Sequence, residues 1–150
     1  MKKTIWFDLD GTIADLYAVD NWLPRLRAAD PTPYTEAAVM LNMSVLARYL
    51  HKLQQLGYWV GIISWTSKNA TKEYDNMVAE AKRQWLSEHL PSVKFDFTLI
   101  TAYGIPKEQW MNTDSDILFD DNEEIREAWN GEAYEPTEIL SVLKELIHKG

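Results

Sequence analysis

Residues 4–12 read TIWFDLDGT, an apolar segment that runs into an acidic turn. Its first half consists of β-branched and aromatic residues, which are typical of a buried strand, and the Asp-Gly pair that follows signals a turn. Because side chains alternate along a strand, Asp8 and Asp10 project to the same side while Leu9 points into the core. We therefore predict a first strand that ends in two converging carboxylates.

Strand and helix patterns alternate along the rest of the chain. Continuous apolar runs bounded by turn residues predict further strands, and apolar residues at helical spacing predict helices between them. This order predicts a single α/β domain over residues 1–150, Rossmann-like, with a parallel five-stranded sheet and helices on both faces. The predicted strands are 58–64, 95–101, 116–119 and a short edge strand at 132–135; the predicted helices run from an N-cap at Ser44 to Leu56, from Asn69 or Thr71 to about Leu90, over 123–129 and from Pro136 to about His148.

The segment at about 14–43 interrupts this alternation. It holds three prolines and three aromatic residues, and it has no strand signal. We expect a small helical insertion, a minimal cap, over the carboxyl edge of the sheet, where open α/β sheets bind their ligands.

A second acidic pair, Asp120-Asp121, follows the apolar run 117–119. If this strand neighbours the first one, three or four carboxylates meet at one edge of the sheet. Carboxylates that close repel one another unless a cation joins them, and Mg²⁺ suits a site made only of oxygen ligands. Helix capping is the simpler interpretation of this pair alone, although Asn122 already offers a cap.

Four more residues fit a phosphate site at this edge. Gly11 permits a sharp turn and close approach of a tetrahedral group, and Thr12 adds a hydroxyl. Ser64 ends an apolar strand and can donate a hydrogen bond to a bound phosphate. Lys107 can supply the positive charge that phosphoryl transfer needs, with Lys68 as its rival.

Composition narrows the function classes. A net charge of −8 and a pI near 4.8 argue against a nucleic-acid backbone or an anionic membrane as partner. The chain has no cysteine, which excludes thiolate sites and disulfides, and no run of 18 apolar residues. We expect a cytoplasmic protein without a membrane span.

Together the stretches IWFDLDGT, IISWTS, a lysine and ILFDD resemble, in this order, the four motifs of the haloacid dehalogenase (HAD) superfamily. The resemblance covers the chain outside the insertion and implies a Mg²⁺-dependent phosphohydrolase. It implies that Asp8 attacks phosphorus to form an aspartyl-phosphate, and that Asp10 protonates the leaving oxygen and then activates water. The implied metal ligands are Asp8, the backbone carbonyl of Asp10, Asp121 and, as an alternative, Asp120; the implied phosphate-binding residues are Ser64, Lys107, Thr12 and Gly11.

Within the superfamily the chain is most similar to the deoxyribonucleotidase-like group, the cytosolic 5′-nucleotidases of type C. This likeness implies a small phosphomonoester substrate, with a nucleotide favoured. The insertion is smaller than the cap of such relatives, so a phosphatase for a larger substrate, such as a nucleic-acid 3′ end, is the alternative enzyme. A phosphoacceptor switch and a silent binding domain are the alternatives without turnover. Leaving-group contacts are expected from Trp22, Tyr17, Trp65, Lys68 and Asn69.

Overall fold

The computed structural model describes residues 2–150 as an α/β structure built on a parallel sheet. Its strands are β1 (Thr4–Phe7), β2 (Ala14–Asp15), β3 (Ala38–Val39), β4 (Trp59–Trp65), β5 (Phe97–Thr101), β6 (Ile117–Phe119) and β7 (Glu132–Tyr134). Its helices are α1 (Trp22–Arg27), α2 (Thr32–Glu36), α3 (Met43–Gln55), α4 (Lys72–His89), α5 (Glu123–Ala128) and α6 (Ile139–Lys149), with short 3₁₀ helices at Leu16–Ala18, Lys107–Trp110 and Pro136–Glu138.

The main sheet has five strands in the order β5-β4-β1-β6-β7, and all neighbours are parallel. The predicted fold class is therefore confirmed, including the edge position of β7. Strand β1 is central and fully buried, because its side chains are covered on both faces. Ile5 and Phe7 pack with the helices α3 and α6, whereas Trp6 points to the opposite face, against Leu118 and Trp129.

Side-chain caps mark the beginnings of α3 and α4. The helix α3 begins at Met43 and is capped by Asn42, whose side chain accepts a hydrogen bond from the Val45 N–H at 3.1 Å. The predicted cap at Ser44 was therefore wrong; an asparagine two residues earlier, in extended backbone, takes this position. Of the two predicted starts of α4, the structure selects Thr71, which caps it through the Tyr74 N–H at 3.1 Å.

Asp116 aligns β1 with β6. Its fully buried carboxylate accepts hydrogen bonds from the Thr4 N–H at 2.9 Å and the Trp6 indole N–H at 3.0 Å. It also accepts from the Asn112 N–H at 2.8 Å and the Thr113 hydroxyl at 2.7 Å. These bonds tie the start of β6 to β1, and the resulting register brings the two acidic strand ends side by side.

The insertion folds over the carboxyl edge of the sheet and is not purely helical. Besides α1 and α2 it contains the antiparallel ribbon β2-β3, which contradicts the expectation of a segment without strands. Two-residue strands are too short to leave a periodic pattern in the sequence. The insertion is fastened to α4, because the Trp85 indole donates to the Ala37 carbonyl and the Tyr74 hydroxyl to the Asp30 carbonyl, both at 2.8 Å.

Within residues 2–150, no helix combines the length and the apolar character that crossing a membrane requires.

Candidate active site

The first acidic pair lies in the turn after β1. Gly11 has a φ of +76°, and a Cβ there would collide with the Asp121 carboxylate. Only glycine satisfies both conditions without strain, so Gly11 permits the turn and the close approach of the second acidic pair. Thr12 is buried, and its hydroxyl donates to Asp8 Oδ2 at 3.4 Å. The hydroxyl predicted to face phosphate thus orients the Asp8 carboxylate.

Asp120 and Asp121 lie beside Asp8 because β6 pairs directly with β1. One carboxylate oxygen from each of these three residues lies within 4.8 Å of the other two, which is close enough for a shared metal ion. The Asp10 side chain is not in this group. Its part in the predicted ligand set was its backbone carbonyl.

Lys107 lies between the two acidic pairs. Its Nζ is 2.6 Å from Asp120 Oδ2 and 3.2 Å from Asp8 Oδ1, and the residue is 2% exposed. Burial alone would lower the pKa of Lys107, but the charges of Asp8 and Asp120 outweigh it and raise this pKa. Lys68 lies farther out, with its Nζ 6.0 Å from the centre of the Tyr103 ring. Of the two lysines considered, the structure brings Lys107 to the carboxylates.

One lysine does not neutralise three carboxylates. Burial and then the charge of Asp8 raise the pKa of Asp120 to about 6, although Lys107 opposes this shift. Partial removal from water, followed by the charges of Asp8 and Asp120, raises the pKa of Asp121 to about 7. The raised pKa values show that the carboxylates repel one another. A hard divalent cation, which prefers oxygen ligands, would remove this repulsion by binding between them. The residues present therefore fit Mg²⁺.

The sequence analysis missed Lys82, a second buried lysine at this site. Lys82 is 2% exposed, and its Nζ donates to Asp10 Oδ2 at 2.8 Å, Ser64 Oγ at 2.7 Å and the Trp65 carbonyl at 2.6 Å. The Tyr34 ring of the insertion lies 5.1 Å from this ammonium. A signal was present in the sequence, because Lys82 lies four residues after Val78 on the buried face of α4.

Beyond the carboxylates, a cleft of about 750 Å³ opens between the insertion and the carboxyl edge of the sheet. Tyr17 and Trp22 line it from the insertion, with their ring centres 4.9 Å apart. Trp65 and Tyr103 line it from the sheet, 5.0 Å apart. Tyr103, which is half exposed, was not among the predicted contacts. All five predicted leaving-group contacts line this cleft: Tyr17, Trp22, Trp65, Lys68 and Asn69.

No protein-family model matches this chain, and no curated protein matches its sequence. Solved structures with a similar fold include D,D-heptose 1,7-bisphosphate phosphatase from Burkholderia thailandensis, at a TM-score of 0.53 and 17% identity, over 85% of this chain and 71% of that one. They also include D,D-heptose 1,7-bisphosphate phosphatase from B. bronchiseptica, complexed with magnesium and phosphate. That structure matches at a TM-score of 0.56 and 12% identity, over 99% of each chain. At these identities the likeness establishes the shared fold.

Proposed function

We propose that the chain is a Mg²⁺-dependent phosphomonoester hydrolase of the HAD superfamily. The observation that carries this proposal is the contact of the Lys107 ammonium with both Asp8 and Asp120, beside Asp121, at the carboxyl edge of the sheet. A lysine among carboxylates at the base of an open cleft suits the binding of a phosphate together with a divalent cation. The fold likeness to two phosphatases, one complexed with magnesium and phosphate, supports the same reading.

In this proposal Asp8 is the nucleophile and Asp10 the proton carrier. An Asp8 carboxylate oxygen forms a bond to phosphorus while the bond from phosphorus to the leaving-group oxygen breaks, and Asp10 gives its proton to that oxygen. A water then attacks the aspartyl-phosphate, gives its proton to Asp10, and releases phosphate and free Asp8. Lys107 and the Ser64 hydroxyl stabilise the charge on the phosphoryl oxygens.

The predicted ligands, Asp8, Asp121, Asp120 and the Asp10 carbonyl, would hold the metal ion. Bound Mg²⁺ neutralises negative charge on the phosphoryl oxygens and on the carboxylates that face them. Thr12 keeps the Asp8 carboxylate in one orientation through its hydrogen bond. Gly11 keeps room for Asp121 beside the nucleophile.

A small phosphomonoester with a planar leaving group, of the nucleotide class, fits the cleft best. The edge-to-face pair Tyr17-Trp22 on one side and the tilted pair Trp65-Tyr103 on the other offer aromatic surface for a base. Lys68, over the Tyr103 ring, adds a positive charge at the same wall. The resemblance of the sequence motifs to the deoxyribonucleotidase-like group favours the same substrate class.

The test is Mg²⁺-dependent phosphate release from nucleoside monophosphates, sugar phosphates and 3′-phosphorylated oligonucleotides. We expect turnover that a chelator abolishes and that Asp8→Asn reduces to background. The matched control is Asp114→Asn, the same change at an exposed residue outside the acidic group, which keeps full activity. Full activity of Asp8→Asn would refute the nucleophile assignment. A stable phosphoprotein without release would instead indicate a switch, and preference for the oligonucleotides would indicate the larger substrate.

A further inference from the structure

Lys82 has no part in the reaction proposed above, yet it is as deeply buried as Lys107. A buried ammonium is costly unless its three N–H groups are satisfied. Lys82 meets this demand with three acceptors within 2.8 Å, on Asp10, Ser64 and Trp65. The ammonium therefore cross-links the turn after β1 to the end of β4, in one fixed geometry.

This cross-link gives the two oxygens of the Asp10 carboxylate different environments. Oδ2 accepts from Lys82, while Oδ1 accepts no hydrogen bond from any residue in 2–150, and Asp10 lines the cleft. The same lysine donates to Ser64 Oγ, so the hydroxyl proton of Ser64 must point to another acceptor. One side chain thus leaves an Asp10 oxygen available to the leaving group and the Ser64 hydroxyl available as a donor.

We propose that Lys82 is a positioning residue, which anchors Asp10 through Oδ2 so that Oδ1 meets the leaving-group oxygen and then the attacking water. The inference rests on the proposed function. Lys82 contacts no substrate in this scheme and transfers no proton. It acts only on where the Asp10 carboxylate and the Ser64 hydroxyl are held. The Tyr34 ring, 5.1 Å from the ammonium, shields this arrangement from the insertion side.

The test compares two substrates that differ in their need for a proton on the leaving oxygen. A nucleoside monophosphate or another alkyl phosphate needs that proton, whereas p-nitrophenyl phosphate releases a stable anion and hardly needs it. The measured quantity is kcat/KM, which reports the steps up to formation of the aspartyl-phosphate and leaves out its hydrolysis, a step that both substrates share. For Lys82→Met we expect kcat/KM to fall about 100-fold on the alkyl phosphate, as for a misplaced catalytic group, and only about threefold or less on p-nitrophenyl phosphate. Lys82→Arg keeps the charge and should show a smaller loss of the same kind.

A double-mutant comparison isolates the route of the effect. In an Asp10→Asn background, Lys82→Met should lower kcat/KM on the alkyl phosphate by no more than about threefold, because the carboxylic acid that Lys82 positions is already gone and only its bond to Ser64 remains to be lost. Equal losses of kcat/KM on both substrates in a folded variant would overturn the inference, and so would the failure of both Lys82 variants to fold, since either result makes Lys82 structural only. The unmodified protein separates the two proposals. If it releases no phosphate, the proposed function fails; if it turns over and the leaving-group dependence is absent, only the inference fails.

Discussion

Without a divalent ion, the acidic group at the carboxyl edge should make the folded protein less stable as the pH rises. The folded protein holds protons on Asp120 and Asp121 up to pKa values of about 6 and 7, while in the unfolded chain both lie at the ordinary 3.8. Raised carboxyl pKa values stabilise the folded state at low pH, and this contribution is lost as the pH passes through them. Burial also raises the pKa of Asp10, although Lys82 opposes the shift, so Asp10 acts in the same direction.

The expected size follows from these values. Between about pH 5.5 and about pH 8, Asp120 contributes roughly 0.8 kcal/mol. For Asp121 the nominal figure of roughly 2 kcal/mol is halved, because its side chain is exposed and screened by solvent. The sum is about 2 kcal/mol, or a fall in Tm of about 4–8 °C for a chain of this length.

Thermal unfolding in a chelator at the two pH values measures this change. Asp121→Asn should remove about half of the pH dependence, while Asp114→Asn should leave it unchanged. Millimolar Mg²⁺ should raise Tm more at the higher pH, because protons no longer compete for the carboxylates. If the free energy of unfolding in chelator is equal or higher at about pH 8, the prediction is wrong, since the carboxylates are then not crowded in solution.

Two further predictions concern buried charges. Lys107→Met should lower kcat about 10²–10³-fold, as loss of a preorganised donor does, whereas Lys68→Met should leave kcat nearly unchanged. If an assay of both variants shows the larger loss of kcat for Lys68→Met, the phosphate-binding role belongs to Lys68. Asp116→Asn should destabilise the fold by about 3 kcal/mol, because the new amide N–H₂ must face hydrogen-bond donors. Urea unfolding measures this change, with Asp114→Asn as the control, and equal midpoints for the two variants would contradict it.

The sheet could be predicted from the sequence because each of its strands carries a local signal. Parallel strands buried on both faces read as continuous apolar runs, as in residues 58–64, and the acids that follow two of them mark the same edge. The ribbon β2-β3 could not be predicted, since its pairing rests on two residues in each strand and on the return of the chain from the insertion. The N-cap of α3 was predicted at the wrong residue because it, too, depends on the path of the chain outside the local pattern. Asn42 and Ser44 are equally good caps, and the path of the entering chain decides between them.

The site was predictable where its chemistry is contiguous in sequence and less so where it depends on packing. The acidic pairs belong to strand ends, so their meeting at one edge followed from the topology alone. Tyr103 lies in a loop without a pattern and becomes relevant only because the Trp65 ring lies beside it. Lys82 lies on a helix face that otherwise reads as core, where a lysine looks like an irregularity in an apolar stripe. Whether it has a carboxylate within reach depends on how α4 packs across the sheet, and no local pattern contains that information.

The two buried lysines give the two acids of the first motif different environments. Lys107 contacts Asp8 and Asp120, where phosphoryl charge would accumulate in the proposed reaction, whereas Lys82 contacts Asp10 and the Ser64 hydroxyl. A nucleophile benefits from a cation that can also bind the incoming phosphate, while a proton carrier must keep one oxygen free. The Asp10 carboxylate has this arrangement, with Oδ2 held and Oδ1 directed to no protein donor among residues 2–150. Two carboxylates that stand two residues apart are thus differentiated by their lysine partners, and a single shared lysine could not give both arrangements at once.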